Sequence, residues 1–235
     1  MTTKFDNRFD AGRRLARELA PLSLDHPVVV ALPRGGVPVA AEVARALKAP
    51  LDILLVRKIG APTHPEVAIA ALSDGGDPHL EVDEETLAQS GASRDYVLAQ
   101  ASQHLQEIER RRALYMEGRP PIDVKGRTVV LVDDGIATGT TVRAPLCGRH
   151  CAGGTVRAAL RALRERKPQR IVLAVPVAPA SELPALRELV DDLVCVHAPE
   201  FFGAVSRFYD EFEQTSDDEV VSLLRRFRGD ETGTH

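Results

Sequence analysis

Tryptophan is absent from this 235-residue chain, and aromatic residues make up only 4% of it. That scarcity disfavours a base-stacking platform for single-stranded nucleic acid. No charge of one sign dominates: 30 Lys and Arg stand against 34 Asp and Glu, for a net charge of -4. A mildly acidic chain has no electrostatic footprint for nucleic acid. No apolar run approaches the ~18 residues that a membrane span needs, and the first residues, Met1 to Asp6, hold no apolar core of signal-peptide type. Cysteine occurs three times (Cys147, Cys151 and Cys195), which does not suggest a disulfide framework. The expectation is a cytoplasmic protein that binds neither nucleic acid nor membrane.

The length suits one large α/β domain, expected over residues 1–228 with a disordered tail at 229–235. Residues 8–20 read as an amphipathic helix, with Phe9, Leu15 and Leu19 near one face and arginines opposite. Val28–Leu32, Val37–Leu47 and Leu51–Val56 read as strand, helix and strand, a βαβ unit with a right-handed crossover. Short strands are expected within 66–82 and a long charged helix over 93–117. Further on come a strand at Arg170–Val177, a helix at 181–190 and a last strand at Leu193–Val196. The fold class is a mostly parallel central sheet flanked by helices.

The densest chemistry lies in Val129–Thr141. Four apolar residues (Val129 to Val132) make a buried strand, followed by the adjacent acids Asp133 and Asp134. The carboxyl end of a strand is where open α/β sheets bind ligands. Ala137, Thr138, Gly139, Thr140 and Thr141 then offer backbone N–H groups, hydroxyls and a helix start, all suited to phosphate. Acceptors for sugar hydroxyls beside an anion cradle point to a phosphorylated sugar.

This segment resembles the motif by which type I phosphoribosyltransferases, bacterial phosphoribosyltransferase-domain proteins among them, bind phosphoribosyl pyrophosphate (PRPP). The resemblance implies that Asp133 and Asp134 hold the ribose hydroxyls and that Ala137–Thr141 holds the 5′-phosphate. It implies Mg²⁺ as cofactor, met by Asp133 and Asp134 indirectly through ribose hydroxyls or water. PRPP and a small-molecule acceptor would be the ligands, a homodimer the assembly, and a small hood and flexible flap the additions to the sheet. Many members that bind 6-oxopurines carry a third acid where this chain has Ala137, so that candidate base for the acceptor is missing here.

Two more segments fit the same picture. Arg34, Gly35 and Gly36 follow the first strand: glycines admit close backbone approach, and an arginine fork suits phosphate oxygens. They resemble the family's pyrophosphate loop, which often holds a strained or cis peptide. Arg57 and Lys58 end the second strand, pointing to opposite sides, and Lys58 is the expected ligand-facing member, placed to offset charge on departing pyrophosphate. Residues 63–120 correspond to the flap and its supports; His64, Glu66, His79 and His104 are scattered there without ligand spacing. Phe201, Phe202 and Tyr209 belong to an aromatic-rich run that either stacks on an acceptor or closes the core.

One anomaly adjoins the best motif. Thr-Val-Arg-Ala occurs at 141–144 and again at 155–158. Removing 145–158 leaves a continuous amphipathic helix leading from the phosphate loop. Pro145 and the glycines that follow would break it. An in-frame insertion is inferred, with an inserted loop over about 145–154 and the helix restarting behind Thr155 as N-cap. Cys147, His150 and Cys151 inside it allow a metal site or a disulfide, although a fourth zinc ligand is not evident nearby. Transfer of a 5-phosphoribosyl group from PRPP to a nitrogenous base is the function implied. The alternatives are a non-catalytic PRPP or nucleotide sensor and a copy impaired by the insertion.

Overall fold

The β-branched runs of the sequence form the strands of the computed structural model, which describes residues 4–65, 67–74, 78–137 and 154–227. In chain order the elements are α1 (Arg8–Leu19), β1 (Val28–Ala31), α2 (Gly36–Leu47), β2 (Leu51–Ile53), β3 (Val56–Gly60), β4 (Ala68–Ser73) and β5 (His79–Val82). Then follow α3 (Glu84–Ser90), α4 (Arg94–Met116), β6 (Thr128–Val132), α5 (Gly154–Glu165), β7 (Arg170–Val177), α6 (Leu183–Arg187), β8 (Asp192–His197) and α7 (Asp217–Arg225).

Five strands pair in parallel in the order β2-β1-β6-β7-β8. Parallel strands buried on both faces read as continuous apolar runs, as in Val28–Ala31 and Val129–Val132. Their side chains alternate between two cores. Val29, Val130, Val132 and Val172 face α1, α2 and α7 through Leu15, Val39, Val43 and Val220. Val28, Val30, Val129, Leu131 and Leu173 face α5 and α6 through Val156, Leu160, Leu163 and Leu186. Each such fully buried side chain contributes about 1.5–3 kcal/mol of transfer free energy.

The expected strand Leu51–Val56 is two strands in two sheets. Leu54 and Leu55 leave the parallel sheet, and β3 starts a separate antiparallel sheet of order β3-β4-β5. The apolar run Ile53–Val56 hid the break because Leu54 and Leu55 are themselves buried. A charged cluster fixes the corner. Arg112 on α4 donates to Asp74 Oδ2 at 2.9 Å, to Asp52 Oδ1 at 3.2 Å and to the Ile53 carbonyl at 3.2 Å. The Leu55 and Ile122 amides donate to Asp74 and Asp52 at 2.7 and 2.8 Å. Burial pushes the Asp74 carboxyl above its usual range, and Arg112 counters it.

Other boundaries moved. The helix expected at 181–190 is a 3-10 turn followed by the short α6. Thr155 lies inside α5, which already runs from Gly154, so it does not cap that helix. Two helices were not expected, and both carry readable caps: Asp83 accepts from the Thr86 amide before α3, and Ser216 from the Glu219 amide before α7. The inserted segment up to residue 153, with Cys147, His150 and Cys151, lies outside the described residues, as do Glu66 and residues 228–235.

Candidate functional site

Chain direction locates the site. After β1 the chain passes through α2 to β2 at one edge; after β6 it passes on to β7 toward the other edge. Neighbouring parallel strands whose connections part in this way open a crevice at their carboxyl ends, where open α/β sheets bind ligands. Residues 33–36 and 133–137 are the two lips of that crevice. The Leu32 amide bonds the Val132 carbonyl at 2.9 Å, which holds the lips in register.

The two glycines have a steric reason. A Cβ on Gly35 would collide with the Asp134 carboxylate, coming within 2.6 Å of its Cγ. One on Gly36 would stand 2.9 Å from the Val132 carbonyl oxygen and 3.1 Å from the Asp133 Cα. The bare loop lets the acid pair lie directly on it. The Pro33–Arg34 peptide bond is cis, in line with what the resemblance implied for this loop.

The two carboxylates are crowded. Asp133 Oδ1 accepts the Asp134 amide at 2.9 Å. Burial, and then the neighbouring Asp134, push the Asp133 carboxyl well above the usual range. Burial also raises Asp134, while the guanidinium of Arg8 pulls it back. Arg8 was expected among the arginines opposite the apolar face of α1. Instead its Nε donates to Asp134 Oδ2 at 2.8 Å, its Nη1 to the Glu213 carbonyl at 2.6 Å, and its Cζ lies 3.9 Å over the Phe212 ring. One sequence signal marks it: a cation in the first turn of a helix opposes the helix dipole, and such local conflicts point to a job elsewhere.

The C-terminal segment reaches both lips. The Tyr209 hydroxyl donates to the main-chain carbonyl of Asp134 at 2.6 Å. Arg34 Nη1 stands 3.5 Å from Asp217 Oδ1, which also accepts the Tyr115 hydroxyl at 2.6 Å. These contacts hold the Asp217 carboxyl below its usual range, the Tyr115 bond first among the causes. Tyr209 and Phe202 are buried with Phe5 and Val177, so they close a small core; Phe201 is 94% exposed.

Arg57 and Lys58 point to opposite sides of β3, as expected. Arg57 turns to Glu107 on α4 at 3.9 Å. Lys58 lies against Gly154, where an added Cβ would meet its Nζ at 3.1 Å. With Glu81, Asp83, Arg157 and Arg161, Lys58 lines a cavity of about 310 Å³ between the small sheet and α5. Among the described residues, neither Arg34 nor the Asp133–Asp134 pair lines it. The crevice thus gathers Gly35, Gly36, Asp133 and Asp134, with Arg34 at its rim, while Lys58 belongs to a neighbouring cavity. Ala137 is exposed, and Thr138, Gly139, Thr140 and Thr141 lie outside the described residues.

The donor set suits a hard cation held mainly by substrate and water. Two oxygen-bearing carboxylates meet at the crevice, and no cluster of three or more His, Cys, Asp or Glu forms a metal cage among the described residues. Magnesium is bound in this way, through one or two carboxylates plus substrate oxygens. No helix among the described residues is long and apolar enough to cross a membrane.

Comparison with known proteins agrees with this geometry. The family model of the phosphoribosyl transferase domain matches residues 3–146. Two Mycobacterium tuberculosis proteins, "Putative phosphoribosyl transferase Rv0571c" of strain ATCC 25618 / H37Rv and "Putative phosphoribosyl transferase MT0597" of strain CDC 1551 / Oshkosh, are each 42% identical over 228 residues. The match covers 96% of this chain and 47% of each relative, so the chain spans about half their length. The crystal structure of TT1426 from Thermus thermophilus superposes with a TM-score of 0.80 at 38% identity, covering 96% of this chain and all of that one.

Proposed function

This chain belongs to the phosphoribosyl transferase domain family, and we propose on that footing that it moves a 5-phosphoribosyl group from PRPP to a nitrogenous base. The observation that carries the reading is the packing of Asp133 and Asp134 against Gly35 and Gly36 at the carboxyl ends of β1 and β6. Among the described residues, no side chain at the crevice singles out one base; Ala137 removes one acidic candidate for recognising it.

Each group has a task in this reaction. The carboxylates of Asp133 and Asp134 accept hydrogen bonds from the ribose 2′- and 3′-hydroxyls, and their negative charge favours an oxocarbenium-like ring in the transition state. Arg34 offers its fork to the diphosphate, exchanging Asp217 for phosphate oxygens. Residues Ala137, Thr138, Gly139, Thr140 and Thr141 supply amides and hydroxyls to the 5′-phosphate. Lys58, expected at the diphosphate, stands in the neighbouring cavity beside Gly154, so the cationic role at the crevice falls to Arg34. Mg²⁺, when bound, neutralises diphosphate charge. The bond from the ribose anomeric carbon to diphosphate oxygen breaks, a bond to the acceptor nitrogen forms, and the acceptor gives up a proton. Positioning and charge complementarity account for the rate, since no residue need bond to the sugar.

The test is pyrophosphate release from PRPP across a panel of purine and pyrimidine bases with Mg²⁺. Release with one base or a related set supports the transferase. PRPP binding without turnover on any base would replace it with a PRPP-sensing role. Absence of PRPP binding that deletion of 145–158 restores would mark a copy impaired by its insertion.

A further inference from the structure

The N-terminal helix contributes a side chain to the acid pair. Arg8 stands at the first position of α1, and its side chain is only 12% exposed. Its Nε holds Asp134 Oδ2 at 2.8 Å, its Nη1 holds the Glu213 carbonyl at 2.6 Å, and the Phe212 ring lies 3.9 Å from its Cζ. Asp134 is therefore gripped on three sides. Gly35 underlies the carboxylate, Arg8 takes one of its oxygens, and the Tyr209 hydroxyl fixes its main-chain carbonyl at 2.6 Å. A planar guanidinium held by two further partners has little freedom to turn, so it fixes the carboxylate plane as well as its charge.

We propose that Arg8 is a positioning residue of the donor site, orienting the Asp134 carboxylate so that Oδ1 is presented to a ribose hydroxyl. This rests on the PRPP reading of the crevice given above. Arg8 acts through Asp134 and has no contact of its own with the sugar. The arrangement makes the donor site depend on two distant segments, α1 through Arg8 and residues 209–213 through their backing contacts. It also explains why an arginine stands at a helix start, where the dipole disfavours it: the anion it serves lies in the crevice, 126 residues away.

The experiment is calorimetric titration of PRPP with Mg²⁺ into the wild-type protein and into Arg8→Ala, Arg8→Lys and Arg14→Met, with thermal melting of each. Arg14 pairs with Asp10 on the same helix and lies over the Phe5 ring, whereas the guanidinium paired with Asp134 is that of Arg8, so Arg14→Met should bind PRPP as the wild type does. Loss of a charge-assisted hydrogen bond predicts about 10- to 100-fold weaker PRPP binding for Arg8→Ala. Added methylguanidinium should restore most of that affinity, and Arg8→Lys should lie between. Unchanged affinity in a folded Arg8→Ala protein would overturn the proposal. So would a weakened affinity that tracks melting temperature and that neither lysine nor methylguanidinium recovers, because Arg8 would then serve only the fold. Wild-type protein that fails to bind PRPP would remove the donor reading itself, an outcome separate from either result with the variants.

Discussion

Gly35 lies against the carboxylate of Asp134 so closely that a Cβ there would come within 2.6 Å of the Asp134 Cγ. One contact thereby joins two loops that are far apart in sequence. The acid pair and the glycine pair are one site rather than two.

Gly35→Ala should therefore act on both loops. The new methyl cannot coexist with the present Asp134 carboxylate, so the acid or the loop must move. Overpacking of this kind destabilises by about 1–3 kcal/mol. PRPP affinity in a calorimetric titration should fall further than the loss of stability explains, because Asp134 is displaced from its place.

Asp133→Asn should trade function for stability. Two adjacent carboxylates are held there against desolvation and mutual repulsion, which raise the Asp133 carboxyl well above its usual range. Asparagine keeps the acceptor for the Asp134 amide and removes one charge. The melting temperature at neutral pH should rise by roughly 2–4 °C, corresponding to about 1 kcal/mol, while PRPP binding weakens. A fall in melting temperature would show that the charge supports the fold.

Arg112→Met should be the most destabilising of these substitutions. It leaves Asp52 and Asp74 buried at the corner between the two sheets without their shared cation. Removing one partner from a buried ion cluster destabilises by about 3–5 kcal/mol. Urea unfolding reads this as a lowered midpoint.

Tyr115 gives the chain an alkaline sensitivity with a defined sign. Burial, and then its bond to Asp217, push the hydroxyl pKa from 10.0 to about 12. The folded protein therefore keeps a proton that the unfolded chain loses between these values. Stability from this group is complete below pH 10 and is lost as pH rises toward about 12, by at most roughly 1.4 kcal/mol per pH unit. Tyr115→Phe should be less stable at neutral pH, and its stability should fall less steeply over this range. Equal slopes for the two proteins would contradict the Tyr115–Asp217 bond.

The sheet was legible where the chain spells it plainly. Val28–Ala31, Val129–Val132 and Ile171–Val175 are largely apolar runs buried on both faces, and their order with the intervening helices determined the parallel pattern. The break after Ile53 was not legible, because Leu54 and Leu55 continue the apolar run and the corner is made by Asp52, Asp74 and Arg112, far apart in sequence. The acid pair and the glycine loop could be read as motifs because each is local. Arg8, Tyr115 and Asp217 could not be assigned to the site, and Tyr209 was read only as a stacking or core residue, since only the folded topology brings α1, the C-terminal segment and the end of α4 to the crevice. Their helix signals were present all the same: Ser216 and Glu219 form a capping pair, and Arg8 sits against a helix dipole.

The most direct measurement is PRPP binding, in the presence of Mg²⁺, to the wild-type protein and to the Asp133→Asn/Asp134→Asn double variant, with melting curves to verify that both are folded. Saturable one-site binding by the wild type and its loss in the double variant are the expected result. Equal binding by both folded proteins would contradict it, because the acid pair at the end of β6 would then have no part in holding the donor.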